Sequence, residues 1–160
     1  WHENQFSSNR GDYAFYPWGL SERTEIKSFF DIHKKSCSCV CSAEIVKGIS
    51  KAMKIKLPEL KYATSDVDTD LREKAEAVLR ELCTCDFVIA HINGADEASH
   101  RKDTFGKIKF IEKIDEEFLS VICKNVKNTK ITVLADHQTS SVTGKHGTGA
   151  VDVIEAIIKE

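Results

Sequence analysis

Five side chains pair carboxylate with imidazole at spacings that can grip a cation. Asp96 and His100 lie four residues apart in Asp96-Glu-Ala-Ser-His100, Asp136 and His137 are adjacent, and His146 follows nine residues later. Carboxylate and imidazole together are the ligand set for divalent transition metals such as manganese or zinc. Residues four apart share one face of a helix, so Asp96 and His100 aim at one point if that turn is helical. Neighbours on an extended strand point to opposite sides. Asp136 and His137 therefore serve one ion only where the backbone turns, and serve two neighbouring ions more readily. Two ions about 3.5–4 Å apart would stabilise both the attacking and the leaving oxygen of an in-line phosphoryl displacement. Either acidic-histidine pair alone is equally an ordinary loop feature; their joint placement makes the metal reading the sharper one.

That placement comes from two apolar runs, Asp86-Phe-Val-Ile-Ala-His-Ile92 and Lys130-Ile-Thr-Val-Leu-Ala135, each ending just before a cluster. A helical pattern over about 106–126 separates them, which predicts a βαβ unit with these two strands parallel. Ligands of open parallel sheets gather outside the carboxyl ends of the strands, where both clusters fall. The expected fold is therefore α/β, a mostly parallel sheet with helices on both faces, as one domain over 1–160. His91, within the first strand, reads as a packed strand histidine.

The remaining elements follow from caps and periodicity. Tyr13 to Tyr16 reads as a short aromatic strand. Ser21 caps a helix to about Lys34 with Ile26, Phe29, Phe30 and His33 on one stripe. Ser42 caps a helix over 43–54 that buries Ile45, Val46, Ile49 and Met53. Residues 55–57 suggest a further strand. Asp66-Val-Asp-Thr-Asp70 lacks the glycine and distant glutamate of a calcium loop and reads as helix initiation. The helix it starts runs to Leu82, with Leu71, Ala75, Val78, Leu79 and Leu82 inward and Glu73, Lys74, Glu76 and Arg80 wet. The longest helix spans 105–128, with Ile108, Ile111, Ile114, Phe118, Val121 and Ile122 inward. The glycine- and hydroxyl-rich loop 139–149 is a flexible wall beside the clusters, and 151–159 reads as a short amphipathic helix.

Composition bounds the function. At 160 residues, 41% apolar and 30% charged, the chain suits one globular domain. A net charge of −2 gives no electrostatic reason to bind nucleic acid. No apolar run reaches the length of a membrane span, so no membrane partner is expected. The chain begins Trp1-His2-Glu3 without an initiator methionine, as a mature product or an excised piece would. Six cysteines without a secretory signal point to a reducing, cytoplasmic setting. Cys37, Cys39 and Cys41 alternate, which places three thiols on one face of a half-buried strand; their spacing is not that of a structural zinc site. Cys83, Cys85 and Cys123 are expected to be buried in the same way. Arg10, in Asn9-Arg10-Gly11, could turn its guanidinium to a substrate phosphate.

The motifs Tyr16-Pro-Trp-Gly19, Glu44-Ile-Val-Lys-Gly-Ile49, Asp68-Thr-Asp70 with Lys74-Ala75, Asp96-Glu-Ala-Ser-His100, Asp136-His137 and Lys145-His146 come in a definite order. In that order and spacing the chain resembles the carboxyl-terminal portion of the archaeal-type cofactor-independent phosphoglycerate mutases, members of the alkaline phosphatase superfamily. The resemblance covers roughly 9–146. It implies a partial alkaline-phosphatase-like fold and a glycolytic isomerase that moves a phosphoryl group between the 3- and 2-hydroxyls of glycerate through a phosphoserine. It also implies two divalent ions, manganese or zinc with magnesium as a further choice. Carried over by position, Asp96, His100 and His146 would hold one ion while Asp136 and His137 contribute to the other. Lys47 matches a family lysine near the substrate phosphate. The family's nucleophilic serine and another metal-binding aspartate lie in an amino-terminal half with no counterpart in this chain. Ser7 and Ser8 lack a strand-to-turn setting. Ser99 stands where the family has glycine, Gln138 and Ser140 alter the segment after His137, Gly149-Ala-Val-Asp152 replaces a proline-rich closing motif, and the family's final strand is not evident.

Three readings result. The chain is the metal-binding part of a phosphoglycerate mutase, inactive alone and completed by a missing half; or a non-catalytic metal-binding or interaction module derived from that fold; or a phosphatase acting on another phosphate ester.

Overall fold

A computed structural model of the chain describes residues 24–159. His2, Ser7, Ser8, Arg10, the aromatic strand at 13–16 and the Ser21 cap lie outside the described residues.

Strand β1 (Cys37–Val40) is buried along its whole length because it has a neighbour on every side. On one edge it pairs in parallel with β2 (Phe87–Ala90), Cys37 opposite Phe87 and Val40 opposite Ala90. On the other edge Ser38 bridges Lys56, within the segment expected as a strand. Alternation then sends its side chains to two faces. Cys37, Cys39 and Cys41 pack with Ile55 and with Phe29 and Val46, which belong to α1 (Phe29–His33) and α2 (Glu44–Ala52). Val40 packs with Leu71, Ala75 and Val78 of α3 (Leu71–Leu82). Helices therefore cover both faces of this pair. Burial pushes the Cys37 thiol up to about 11 and the Cys41 thiol to about 12, so both stay protonated. Cys83 and Cys123, expected inside, are exposed, and Cys85 is half-buried.

Helix α3 starts as expected: Asp70 caps it, its carboxylate accepting from the Glu73 N–H at 2.8 Å. One residue of its expected wet side is a correction. Lys74 is 1% exposed and donates to the carbonyl of His91 at 3.1 Å. Helix α2 departs further from expectation. Ser42 does not cap it but donates to the carbonyl of Ala63, and Ile45 and Ile49 face solvent.

After β2 the chain forms α4 (Gly94–His100), α5 (Thr104–Lys113), a π-helical stretch Ile114–Leu119 and α6 (Ser120–Asn125). The last three form the long helix expected over 105–128. Its buried stripe differs: Phe110, Phe118 and Ile122 are inside with Ile114 packed against them, while Ile108 and Ile111 are exposed. A four-residue repeat drifts by about 40° per step on a regular α-helix. The wider π turns take up that drift and keep the stripe on one side.

The expected βαβ pairing of 86–92 with 130–135 is not formed. Strand β2 pairs with β1, and β3 (Thr129–Leu134) pairs antiparallel with β4 (Val153–Ile158), Leu134 opposite Val153. The described strands are thus one parallel and one antiparallel pair, and the expectation of a mostly parallel sheet is corrected to that. Segment 151–159, expected as a helix, is a strand because Val153, Ile154, Ile157 and Ile158 are β-branched and β3 offers an edge to pair. A strand therefore follows the hairpin where the sequence showed none.

Candidate metal centre

Each ligand-bearing segment is placed by a local device. Gly94 opens α4 directly after the turn that follows β2. A Cβ there would stand 2.7 Å from the Phe110 ring and 2.9 Å from the backbone of Asp66, so only glycine lets α4 seat this closely. The helix then carries Asp96 and His100 on one face, as the spacing requires. His137 and His146 come from a short hairpin beyond β3. Thr139 bridges His146 across it, the Ser140 N–H donates to the Lys145 carbonyl, and the Gly147 N–H donates to Gln138. Gly144 sits within it at φ +71°, a left-handed conformation that suits glycine.

These devices bring four of the five expected residues together. Asp96 Oδ2 lies 3.3 Å from His100 Nε2, and Asp96 Oδ1 lies 3.9 Å from His146 Nε2. The two Nε2 atoms of His100 and His146 face each other at 3.1 Å. One ligand atom from each of Asp96, His137 and His146 falls within 4.8 Å of the others, and the His137 and His146 rings stand 4.0 Å apart between centroids. The fifth residue stands at the solvent edge of the cluster. The Asp136 side chain is 80% exposed, and its carboxylate turns back to its neighbour, 3.7 Å from His137 Nε2.

Donor type and spacing both fit a divalent metal. Ligand atoms on a tetrahedral centre with bonds of about 2.0–2.1 Å stand roughly 3.3 Å apart, close to the separations around His100. The His100 tautomer is also suitable: the Gly144 carbonyl lies 2.9 Å from His100 Nδ1 and can only accept, so the neutral ring carries its proton there and offers Nε2 as a lone pair. A cavity of about 480 Å³ adjoins the cluster, lined by His137, Gln138, Thr139, Lys107 and Asp152 among others.

Lys47 lies elsewhere. Its ammonium pairs with Glu44 at 2.9 Å, and it lines a cleft of about 850 Å³ beyond the carboxyl end of β1 together with Ser42, Lys51, Lys61 and Glu73. Because β1 and β2 run parallel, that cleft opens at the same strand ends that feed α4. His91 is half-buried at the end of β2. Burial first, and Lys74 second, hold its pKa below the ordinary value, against the opposing charge of Asp136.

Sequence reasoning passed over Thr139 and Lys107. Thr139 is buried, its hydroxyl is 2.5 Å from Asp96 Oδ1 and 3.1 Å from His137 Nδ1, and its carbonyl accepts from Lys107 Nζ at 2.9 Å. No spacing rule flags a threonine two residues after a ligand. The departures from the family pattern are absorbed locally. Ser99 is fully buried with its hydroxyl bonded to the Ala95 carbonyl one turn back, and Gln138 donates to the carbonyl of Ala150 at the base of the hairpin.

With fold and cluster established, comparison with known proteins defines the class. Residues 8–156 match the metalloenzyme superfamily, and the chain belongs to it. Among its relatives are two archaeal 2,3-bisphosphoglycerate-independent phosphoglycerate mutases. That of Methanopyrus kandleri is 33% identical over 139 residues, 86% of this chain and 33% of the relative. That of Methanococcus aeolicus is 32% identical over 143 residues, 88% of this chain and 35% of the relative. A solved Pyrococcus horikoshii protein superposes with a TM-score of 0.78 at 25% identity over 82% of this chain and 40% of that one. The chain thus spans about a third of the length of the curated relatives it matches. No helix among the described residues is long and apolar enough to cross a membrane.

Proposed function

We propose that this chain supplies the metal-holding part of a phosphoglycerate mutase that interconverts 3- and 2-phosphoglycerate in the cytoplasm. What supports this most is the convergence of Asp96, His137 and His146 from two separate segments, with His100 Nε2 3.1 Å from His146 Nε2, in a chain of the metalloenzyme superfamily. Asp96, His100 and His146 hold one divalent ion, manganese, zinc or magnesium. His137 and Asp136, whose Nε2 and Oδ2 lie 3.7 Å apart, serve a second. Such a pair supplies charge to stabilise the attacking and leaving oxygens of the transferred phosphoryl group.

The chain's own residues do the positioning. Helix α4 fixes the Asp96 carboxylate, the Gly144 carbonyl fixes the His100 proton on Nδ1, and the hairpin holds His146 opposite. The lysine-lined cleft containing Lys47 takes an anionic end of the substrate, and Arg10 is a further candidate to bind substrate phosphate. The nucleophilic serine is contributed by polypeptide beyond this chain, since the relatives are about three times as long.

The test is interconversion of the two phosphoglycerates with added Mn²⁺, on this chain and on a form carrying the remaining polypeptide. The chain alone is expected to be inactive and the longer form active. A longer form that binds metal but does not turn over either phosphoglycerate would overturn the substrate assignment and leave a metal-binding module or a phosphatase for another ester.

A further inference from the structure

Thr139 touches every member of the Asp96, His137 and His146 triad. Its backbone pairs with His146 across the hairpin, its hydroxyl lies 2.5 Å from Asp96 Oδ1, and the same oxygen lies 3.1 Å from His137 Nδ1. Its carbonyl is held from below by the ammonium of Lys107 on α5 at 2.9 Å. Residues from α4, α5 and the hairpin therefore meet at one buried residue.

The hydroxyl has one proton and two neighbours, and the distances decide where it goes. A contact of 2.5 Å between a hydroxyl oxygen and a carboxylate oxygen is the length of a charge-assisted O–H···O⁻ bond. Without a proton between them the two oxygens would repel, so Thr139 donates to Asp96. Its oxygen is then available only as an acceptor toward His137, and the hydrogen of that bond must be on His137 Nδ1. A neutral imidazole protonated at Nδ1 presents its Nε2 lone pair, the form in which histidine binds a metal.

We propose that Thr139 is the positioning residue of this centre: through one directed chain, His137 Nδ1–H to Thr139 Oγ1 and Thr139 Oγ1–H to Asp96 Oδ1, it locks the His137 tautomer and the Asp96 carboxylate in their ligating states. This rests on the metal reading above and adds to it the residue that couples the ligand after β2 to the ligand after β3. The chain also orders the site before metal arrives, because both hydrogen bonds exist among protein groups alone. Partners of this kind, when removed, typically change metal affinity by about 10- to 100-fold.

The test has two readouts on the full chain. Long-range ¹H–¹⁵N spectra of the metal-free protein, recorded near pH ~8.5 where ordinary imidazoles are neutral, report the tautomer of each histidine. His137 is expected as the Nδ1–H form in the wild type and in Thr139→Ser, which keeps the hydroxyl, and as a mixture or the Nε2–H form in Thr139→Val. Calorimetric titration with Mn²⁺ or Zn²⁺ should show Thr139→Val about 10- to 100-fold weaker and Thr139→Ser close to the wild type. An Nε2–H tautomer of His137 in the wild type overturns the proposal even if Thr139→Val fails to fold. So does a wild type that binds metal and a folded Thr139→Val that binds it equally well. A wild type with the Nδ1–H tautomer that takes up no metal sinks the metal reading while leaving the hydrogen-bond chain in place.

Discussion

The ammonium of Lys74 donates to the carbonyl oxygen of His91 over 3.1 Å, tying the first turn of α3 to the residue just after β2, where the turn toward α4 begins. A cation there is expensive, because a buried charge without a facing carboxylate loses its hydration for one hydrogen bond. Burial accordingly holds the Lys74 pKa below its ordinary 10.5. Between the lowered value and 10.5 the unfolded chain binds more protons than the folded one, so folding gains stability as pH rises through that window. The stability difference between the wild type and Lys74→Met should move in the wild type's favour as pH rises toward 10.5, and stay level at neutral pH. Urea unfolding of both proteins across that range measures it; a difference that stays constant throughout would mean the ammonium is hydrated.

Glu73, the neighbour of Lys74, organises the loop that carries Lys61. Its carboxylate accepts from the backbone N–H groups of Lys61, Tyr62 and Ala63, the last two at 2.8 and 2.6 Å. Burial pushes its pKa up, the three N–H donors outweigh that, and the net value lies below the ordinary 4.5. Stability from this group is therefore fully present above 4.5 and lost as pH falls through the lowered value. Glu73→Gln should cost about 1–2 kcal/mol at neutral pH. The gap to the wild type should narrow in acid, which chemical denaturation at pH 7 and near pH ~3 compares directly.

Gly94 and Gly48 form a matched pair of tests. A Cβ on Gly94 meets Phe110 and the backbone of Asp66 inside 3 Å, whereas a Cβ on Gly48, in the middle of α2, meets nothing within 4 Å. Gly94→Ala should destabilise by about 1–3 kcal/mol and weaken metal binding, because it moves the start of the helix that carries Asp96. Gly48→Ala should stabilise by about 0.5–1 kcal/mol through helix propensity alone. Thermal unfolding of the two variants separates close packing from backbone entropy; equal effects would contradict the packing around α4.

The parts legible in the sequence were those fixed by local rules. Asp70 as a cap, the α3 stripe of Leu71, Ala75 and Val78, and the helical spacing of Asp96 and His100 all depend on neighbours within one or two turns. Three thiols on one face of β1 followed from strand alternation alone. What was not legible depended on partners distant in sequence. The strand at Val153–Ile158 has a pattern short enough to suit a helix, and pairing with β3 decides it. Lys74 reads as a surface residue until β2 covers it, and the π turns at Ile114–Leu119 shift the stripe of the long helix by an amount that no periodicity count contains. Ile45 and Ile49 face solvent although their spacing suits a core. At the metal centre the ligand types were readable, but Thr139 emerged only when the hairpin closed on α4.

The most direct measurement of the central claim is an anomalous difference map from crystals of the chain grown with Mn²⁺ or Zn²⁺. The expected result is a peak bonded at about 2.0–2.2 Å to Asp96, His100 and His146, with any second peak at His137 and Asp136. Saturating metal that leaves those nitrogen and oxygen atoms without a peak, or that binds only at other surface positions, would contradict it.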